Sequence, residues 1–232
     1  MNAAVVIATL NERENLANLV PLILREPGYR AVIVDDNSPD GTGDVAERLS
    51  RTFSGRVSVV HRTSAPGLGR SLVVGLKRAL DEGAELIFQM DADFSHDPKY
   101  LPEMAAAADT ADLVLGSRYV SGVSVVNWPL YRIILSSFAN RYVRAVTGLD
   151  VHDCTTGYRC WRRSVLARMP LDAIISSGYA FQVEMLYLAH RLGSRIREVP
   201  IIFVERRAGV SKMSRHVLLE SAIVPWRLRL RS

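Results

Sequence analysis

Asp91 and Asp93 follow directly on the apolar run Leu86–Met90. In extended structure residues two apart point the same way, so both carboxylates face one ligand. Two hard oxygen donors at this spacing suit Mg²⁺ or Mn²⁺, ions that keep waters and complete their shells with substrate phosphates. The competing reading makes Asp93 a cap for the next segment and Asp91 a solvated turn residue. A second acidic pair, Asp35 and Asp36, ends the apolar run Ala31–Val34 inside VDDNSPDGT. Adjacent carboxylates after a buried strand carry a like-charge cost, and ligand donors such as ribose hydroxyls or the amino edge of a purine are candidates to offset it. Thr9, Asn11 and Glu12 follow a third apolar run, Val5–Ile7.

These residues need strands to carry them. Val5–Ile7 is followed by an amphipathic stretch, Arg13–Leu24, with apolar Leu16, Leu19, Val20 and Ile23 at helical spacing. The alternation recurs as 31–34 then 44–53, 57–60 then 70–80, and 86–90 then 99–108, with a last apolar run at 112–115. Continuous apolar strands separated by helices predict an α/β fold with a parallel sheet covered on both faces. Ligands of such sheets bind outside the carboxyl ends of the strands, where helix N-termini also point. Each acidic residue alone is a turn former or helix cap; three groups at one sheet edge argue for a site. Gly67-Leu68-Gly69, ahead of a helix beginning at Arg70, either brings backbone amides to a phosphate or makes a tight turn, and it lacks the Gly-Lys-Ser/Thr ending of a P-loop.

The chain has 232 residues, 48% hydrophobic and 23% charged, which fits one folded domain over residues 1–232 and excludes a disordered or fibrous protein. Its net charge of +5 is the difference of two opposite halves. Residues 1–117 carry 11 basic and 17 acidic side chains, net −6, whereas residues 118–232 carry 18 and 7, net +11. Apart from Lys77, Lys99 and Lys212, every basic side chain outside histidine is arginine. No apolar stretch approaches the roughly 20 residues of a membrane span, and the N-terminus lacks a signal sequence, so a cytoplasmic, soluble chain is expected. The spacing of Cys154 and Cys160 matches neither a redox pair nor a zinc finger, and both read as reduced structural thiols.

In the basic half, Arg118 follows the last of those apolar runs and therefore belongs to the same ligand-facing edge. A helix over Trp128–Val146 places Arg132, Ser136 and Asn140 on one face, with Leu130, Ile134, Leu135, Phe138, Val143 and Val146 over much of the rest. Two readings stand: an amphipathic helix packed on the core, or a helix at a membrane interface that aims Arg132 and Ser136 at an anionic headgroup. After a strand at Ile201–Val204, the glycine-containing stretch Arg206–Lys212 is a basic loop. The tail Trp226–Arg231 alternates apolar and basic residues, either touching anionic lipid or forming frayed surface.

The strings VVIATLNERENL (Val5–Leu16), VDDNSPDGT (Val34–Thr42) and DADFSHDP (from Asp91) resemble the polyprenol-phosphate mannose synthases of glycosyltransferase family 2. The stretches DCTTGYR, GYAFQVEM and RRAGVSK extend the resemblance over essentially the whole chain. It implies the GT-A fold, a Rossmann-like nucleotide-sugar domain with a mostly parallel sheet and C-terminal interface helices. It also implies GDP-mannose as donor and a polyprenyl or dolichyl monophosphate as acceptor. Asp91 and Asp93 would hold the metal, with Ser95 at a position where many prokaryotic members have a metal-holding Gln. Thr9, Asn11, Glu12 and Asp36 would surround the nucleotide, and Arg118, Arg132 and Ser136 the lipid phosphate. Arg206 and Lys212 would reach phosphate groups from a loop that closes over the donor. Tyr179, Gln182 and Glu184 would line the acceptor or sugar pocket, or equally serve core packing.

The expected reaction is inverting transfer of mannose to the lipid phosphate at the cytoplasmic face of a membrane. A phosphate monoester with a second pKa of about 6 is mostly dianionic at neutral pH and needs no catalytic histidine. The metal and Lys212 would act on the leaving diphosphate, and Arg118 and Arg132 on the nucleophile. Some family members carry transmembrane helices after the catalytic domain, which leaves three ways to reach the bilayer: a naturally short form relying on its own helix and tail, a membrane-anchoring partner subunit, or a further membrane segment. The alternatives are a polyprenyl-phosphate hexosyltransferase using a UDP-sugar, and a noncatalytic membrane-surface module. No nucleic-acid partner is expected, because aromatic and basic residues are not interleaved and the acidic edge repels a polyanion.

Overall fold

The computed structural model describes residues 2–174, 176, 178–205 and 215–230, with backbone alone for 215–221. Four strand–helix units open the chain: β1 (Ala3–Thr9) and α1 (Arg13–Ile23), β2 (Tyr29–Asp35) and α2 (Thr42–Thr52), β3 (Val57–His61) and α3 (Leu68–Asp81), β4 (Leu86–Met90) and α4 (Leu101–Ala107). Then follow β5 (Leu113–Ser117), β6 (Val125–Val126), α5 (Leu130–Thr147), β7 (Arg159–Arg162), α6 (Arg163–Leu166), α7 (Gly178–Arg191), β8 (Ile196–Pro200), β9 (Phe203–Val204) and α8 (Arg215–Leu230).

Seven strands form one sheet in the order β3-β2-β1-β4-β7-β5-β8, while β6 and β9 pair separately. The sheet is parallel except for β7, which runs antiparallel between β4 and β5. The chain moves outward from β1 to β2 and β3, then returns to place β4 on the other side of β1. That reversal opens a crevice beyond the carboxyl ends of β1 and β4. One apolar layer joins Val5, Ile7, Leu16, Leu19 and Phe88; the other joins Val6, Val32, Leu72, Leu76 and Trp161. Helix α3 lies so close to the sheet that a Cβ on Gly75 would collide with Val6 and come within 2.9 Å of Val34 Cγ2.

Several boundaries differ from the sequence expectation. β1 spans two alanines on its N-terminal side, Ala3 and Ala4, which are fully buried but carry little strand propensity. α5 starts after Pro129 rather than at Trp128, because proline supplies no N–H to a helix interior and suits its entry. α3 begins at Leu68, ahead of Arg70. The strand expected over 201–204 is only Phe203–Val204, and the tail residues Trp226–Leu230 are helical rather than frayed.

Candidate functional site

A cleft of about 440 Å³ opens where the topology predicts, walled by Thr9, Glu12, Asp36, Asp91, Asp93 and Gln182. Thr9 is buried, and its hydroxyl lies 3.3 Å from the Val34 carbonyl. Glu12 is fixed through its backbone N–H, which donates to Thr42 Oγ1 at 2.9 Å, and through its carboxylate, which accepts from Asn15 at 2.7 Å. Asn11 is exposed with φ of 62°, donates its N–H to Ser38 Oγ, and is not among the residues lining the cleft.

The like-charge cost of Asp35 and Asp36 is met by the protein's own donors rather than waiting for a ligand's. Asp35 accepts from the Ser38 hydroxyl at 2.5 Å. Asp36 accepts from Arg62 Nη1 and, at 2.9 Å, from the Gly67 N–H. Arg62 also donates to Ser71 Oγ at 2.9 Å, so a buried guanidinium fixes the carboxylate on the cleft wall. The Gly67 amide therefore serves Asp36. Arg62 follows a β3 that ends in a solvent-exposed histidine, and nothing local marks it as a partner of Asp36.

Asp91 and Asp93 leave β4 together and border both the cleft and a smaller cavity of about 70 Å³ behind it. Phe94 takes a φ of 62°, an uncommon conformation for a bulky residue, and the turn brings Ser95 back onto Asp93. The Ser95 hydroxyl donates to Asp93 Oδ1 at 2.6 Å and its N–H does so at 3.1 Å. Ser95 thus holds Asp93 in place from the far side of the turn. Among the described residues no three His, Cys, Asp or Glu side chains gather into a metal site. Two carboxylates at a cleft fit a hard divalent cation that takes its other ligands from water and phosphate.

His96, unassigned by the sequence reading, is buried beneath this turn and stacks on Tyr158 with ring centroids 4.9 Å apart. Its Nδ1 accepts the Asp91 N–H at 3.0 Å, which leaves the proton on Nε2. Burial holds its pKa below the ordinary histidine value, against the opposing pull of Asp91 and Asp93.

The basic wall is more neutral than its sequence suggests. Arg118 is 5% exposed and bonds Asp153 twice, Nε to Oδ2 and Nη2 to Oδ1, both at 2.7 Å, with Thr155 Oγ1 accepting at 2.8 Å. Burial alone would raise the Asp153 carboxyl, but the Arg118 guanidinium outweighs it and holds it below the usual range. The loop carrying Asp153 is pinned by Glu198, which accepts the N–H groups of His152 and Asp153, and by Arg159, which donates to the carbonyls of Cys154 and Thr156. Arg132 pairs with Glu205, and its guanidinium lies 4.2 Å from the Trp128 ring centre. Ser136 Oγ accepts from the Tyr119 hydroxyl at 2.7 Å, whereas Asn140 turns inward to accept the Cys154 N–H. Cys154 and Cys160 are buried free thiols, as expected, and burial pushes Cys154 up to about 12.

A third space, again about 440 Å³, runs along α5 between Leu135, Phe138, Ala139, Val143 and Val183, with Arg118, Arg132 and Ser136 on its wall. Leu130, Tyr131, Ile134 and Phe138 are between 60% and 72% exposed, which overturns the core-packing reading of this half of α5. Ile223, Trp226 and Leu230 are likewise exposed on α8, which α5 meets through the Tyr142 hydroxyl and the Ala222 carbonyl. Thr155 and Tyr179 border all three spaces. Gln182 faces the cleft and accepts from Gln89, but Glu184 turns away to accept the Ser176 N–H. Arg206 and Lys212 lie outside the described residues. Among the described residues no helix is long and apolar enough to cross a membrane.

A family model described as "Glycosyl transferase family 2" matches residues 4–169. The chain is 44% identical over 229 residues to the polyprenol monophosphomannose synthase of Mycolicibacterium smegmatis, covering 97% of this chain and 86% of that protein. It is also 44% identical over 228 residues to the undecaprenyl-phosphate mannosyltransferase of Micrococcus luteus, covering 96% and 92%. Among solved structures, glucosyl-3-phosphoglycerate synthase from Mycobacterium tuberculosis, in complex with Mn²⁺, uridine diphosphate and glucosyl-3-phosphoglycerate, superimposes with a TM-score of 0.69 at 18% identity, covering 98% of this chain and 79% of that one. At that identity the likeness establishes the shared α/β fold.

Proposed function

The chain belongs to glycosyltransferase family 2, and from that membership we propose that it transfers mannose from GDP-mannose to a polyprenyl monophosphate with inversion at the anomeric carbon. One observation carries this reading: a carboxylate-lined cleft and an apolar groove of equal volume, about 440 Å³ each, meet at Thr155 and Tyr179. The cleft, with its paired carboxylates, suits a sugar nucleotide. The groove suits an isoprenoid chain, and Arg132 and Ser136 stand where its phosphate would lie. The names of both relatives, which speak of mannosyl transfer to a polyprenol or undecaprenyl phosphate, support the same assignment.

Thr9, Glu12 and Asp36 flank the nucleotide. Asp91 and Asp93 would hold Mg²⁺ or Mn²⁺, which would screen the charge of the leaving diphosphate. Arg206 and Lys212 add cationic groups to that diphosphate. Arg132 and Ser136 hold the acceptor phosphate, and Arg118, fixed by Asp153, forms the wall behind it. The phosphate is already an anion, so the chain's task is to bring two anions together in line, by charge and position rather than by proton transfer. His96 fits that division of labour, because the Asp91 amide occupies its Nδ1. The exposed apolar side chains of α5 and α8 rest on the cytoplasmic face of the membrane that carries the acceptor.

Thermal melting with Mn²⁺ and either GDP-mannose or UDP-glucose tests the donor, followed by transfer to a polyprenyl phosphate with mass detection. GDP-mannose should raise the melting temperature and yield a polyprenyl phosphomannose. Stabilisation and transfer with UDP-glucose instead would reassign the chain as a hexosyltransferase of the other donor class.

A further inference from the structure

Arg118 and Arg132 share one cavity wall, and each is held by a carboxylate, but in different ways. The Arg118–Asp153 pair is fully enclosed, with two side-chain bonds and a third from the Arg118 N–H to Oδ2 at 3.0 Å. Separating it would strand a buried charge, so it is a fixed part of the wall. The Arg132–Glu205 pair is a single contact between side chains that are 19% and 26% exposed. Water reaches part of both partners, so the carboxylate can leave at lower cost than the enclosed Asp153 could. Trp128 supports the guanidinium from its face and leaves its edges to whichever anion is present.

Glu205 also stands in the same cavity as Asp91 and Asp93. Its backbone is anchored by its N–H, which donates to the Val126 carbonyl at 3.2 Å, so only the side chain has to move. The planar fork of a guanidinium accepts carboxylate and phosphate oxygens in the same geometry. A phosphate dianion arriving with Glu205 in place would meet an occupied cation and a third negative charge beside the two aspartates.

We infer that Glu205 is an internal competitor for the acceptor phosphate, occupying Arg132 in the acceptor-free protein and yielding it when the phosphate of the lipid enters. The inference rests on the proposal that Arg132 contacts the acceptor. It gives the groove a threshold: a head group must out-compete a tethered carboxylate, which a dianionic phosphate does and a neutral prenol does not.

The test compares acceptor and donor KM in Glu205→Gln, which is close in shape and removes the charge. The acceptor KM should fall about 2- to 5-fold, the range expected for a partly exposed ion pair, with the donor KM unchanged. Calorimetric titration with a water-soluble prenyl phosphate should show the same gain in affinity. In an Arg132→Ala background, where acceptor KM is already raised, Glu205→Gln should have a clearly smaller effect. A higher or unaltered acceptor KM in Glu205→Gln, with Arg132→Ala still impaired, would overturn the competitor role alone and make Glu205 a support for Arg132. An Arg132→Ala enzyme with normal acceptor KM would instead overturn the acceptor assignment and this inference with it.

Discussion

The guanidinium of Arg118 and the carboxylate of Asp153 meet edge to edge, with both side-chain bonds at 2.7 Å and both groups buried. An arginine expected from the sequence at the lipid phosphate is therefore a fixed piece of wall, and its pairing shapes the loop that carries Thr155 to the junction of the three spaces. Asp153→Asn keeps the shape but leaves the Arg118 charge uncompensated, and should cost about 3–5 kcal/mol of unfolding free energy. Urea denaturation measures it. A loss below about 1 kcal/mol would mean that the pair is not a structural element of the fold.

In the turn Asp93-Phe94-Ser95 the Ser95 hydroxyl and N–H hold Asp93, the carboxylate proposed to bind the metal. Asp91→Ala should abolish metal-dependent transfer, whereas Ser95→Ala should keep it while weakening Mn²⁺ binding about 10-fold, as loss of an orienting partner does. Calorimetric Mn²⁺ titrations and transfer rates distinguish the two. Near-normal rates in Asp91→Ala would sink the carboxylate assignment, and a Ser95→Ala protein as metal-blind as Asp91→Ala would make Ser95 a ligand.

Much of this site is legible in the chain because its residues follow strands whose apolar runs are strong, as Asp91 follows Leu86–Met90 and Asp36 follows Ala31–Val34. What escapes is set by distant pairing. The strand β7, Arg159–Arg162, carries no apolar run to announce it, since two of its four residues are arginines, yet it is inserted between β4 and β5 with Arg159 wholly buried. The partners Arg62, Asp153 and Glu205 are remote from Asp36, Arg118 and Arg132 in sequence, and no local periodicity announces a salt bridge. The α5 helix shows the converse limit: its apolar pattern is plain, but only the fold decides that Leu130, Ile134 and Phe138 face outward.

Burial of His96 has a consequence for acid stability. Its folded pKa is lowered, so the unfolded chain binds a proton more readily than the native one. Its contribution is complete above the ordinary histidine pKa of about 6.5 and is lost as pH falls from there toward the folded value. His96→Asn keeps an acceptor near the Asp91 N–H without an ionisable ring. Between pH 7.5 and 5.5 the unfolding free energy of the native chain should therefore fall more steeply than that of His96→Asn; parallel pH profiles would show that the folded ring takes up its proton as readily as the unfolded one.

The exposed face of α5 separates a fold role from a membrane role. Ile134 and Phe138 are mostly in solvent, so Ile134→Ser/Phe138→Ser should leave the melting temperature of the lipid-free protein almost unchanged. At a bilayer the same side chains transfer into the acyl boundary, where burying each is worth about 1.5–3 kcal/mol at most. Their joint loss should weaken binding to vesicles of anionic phospholipid by at least about 10-fold. Flotation on a density gradient reads the binding and calorimetry the melting. A double variant that floats normally but melts early would return these residues to a packing role, whereas lost flotation with normal melting would identify this face as the surface that brings the groove to its lipid.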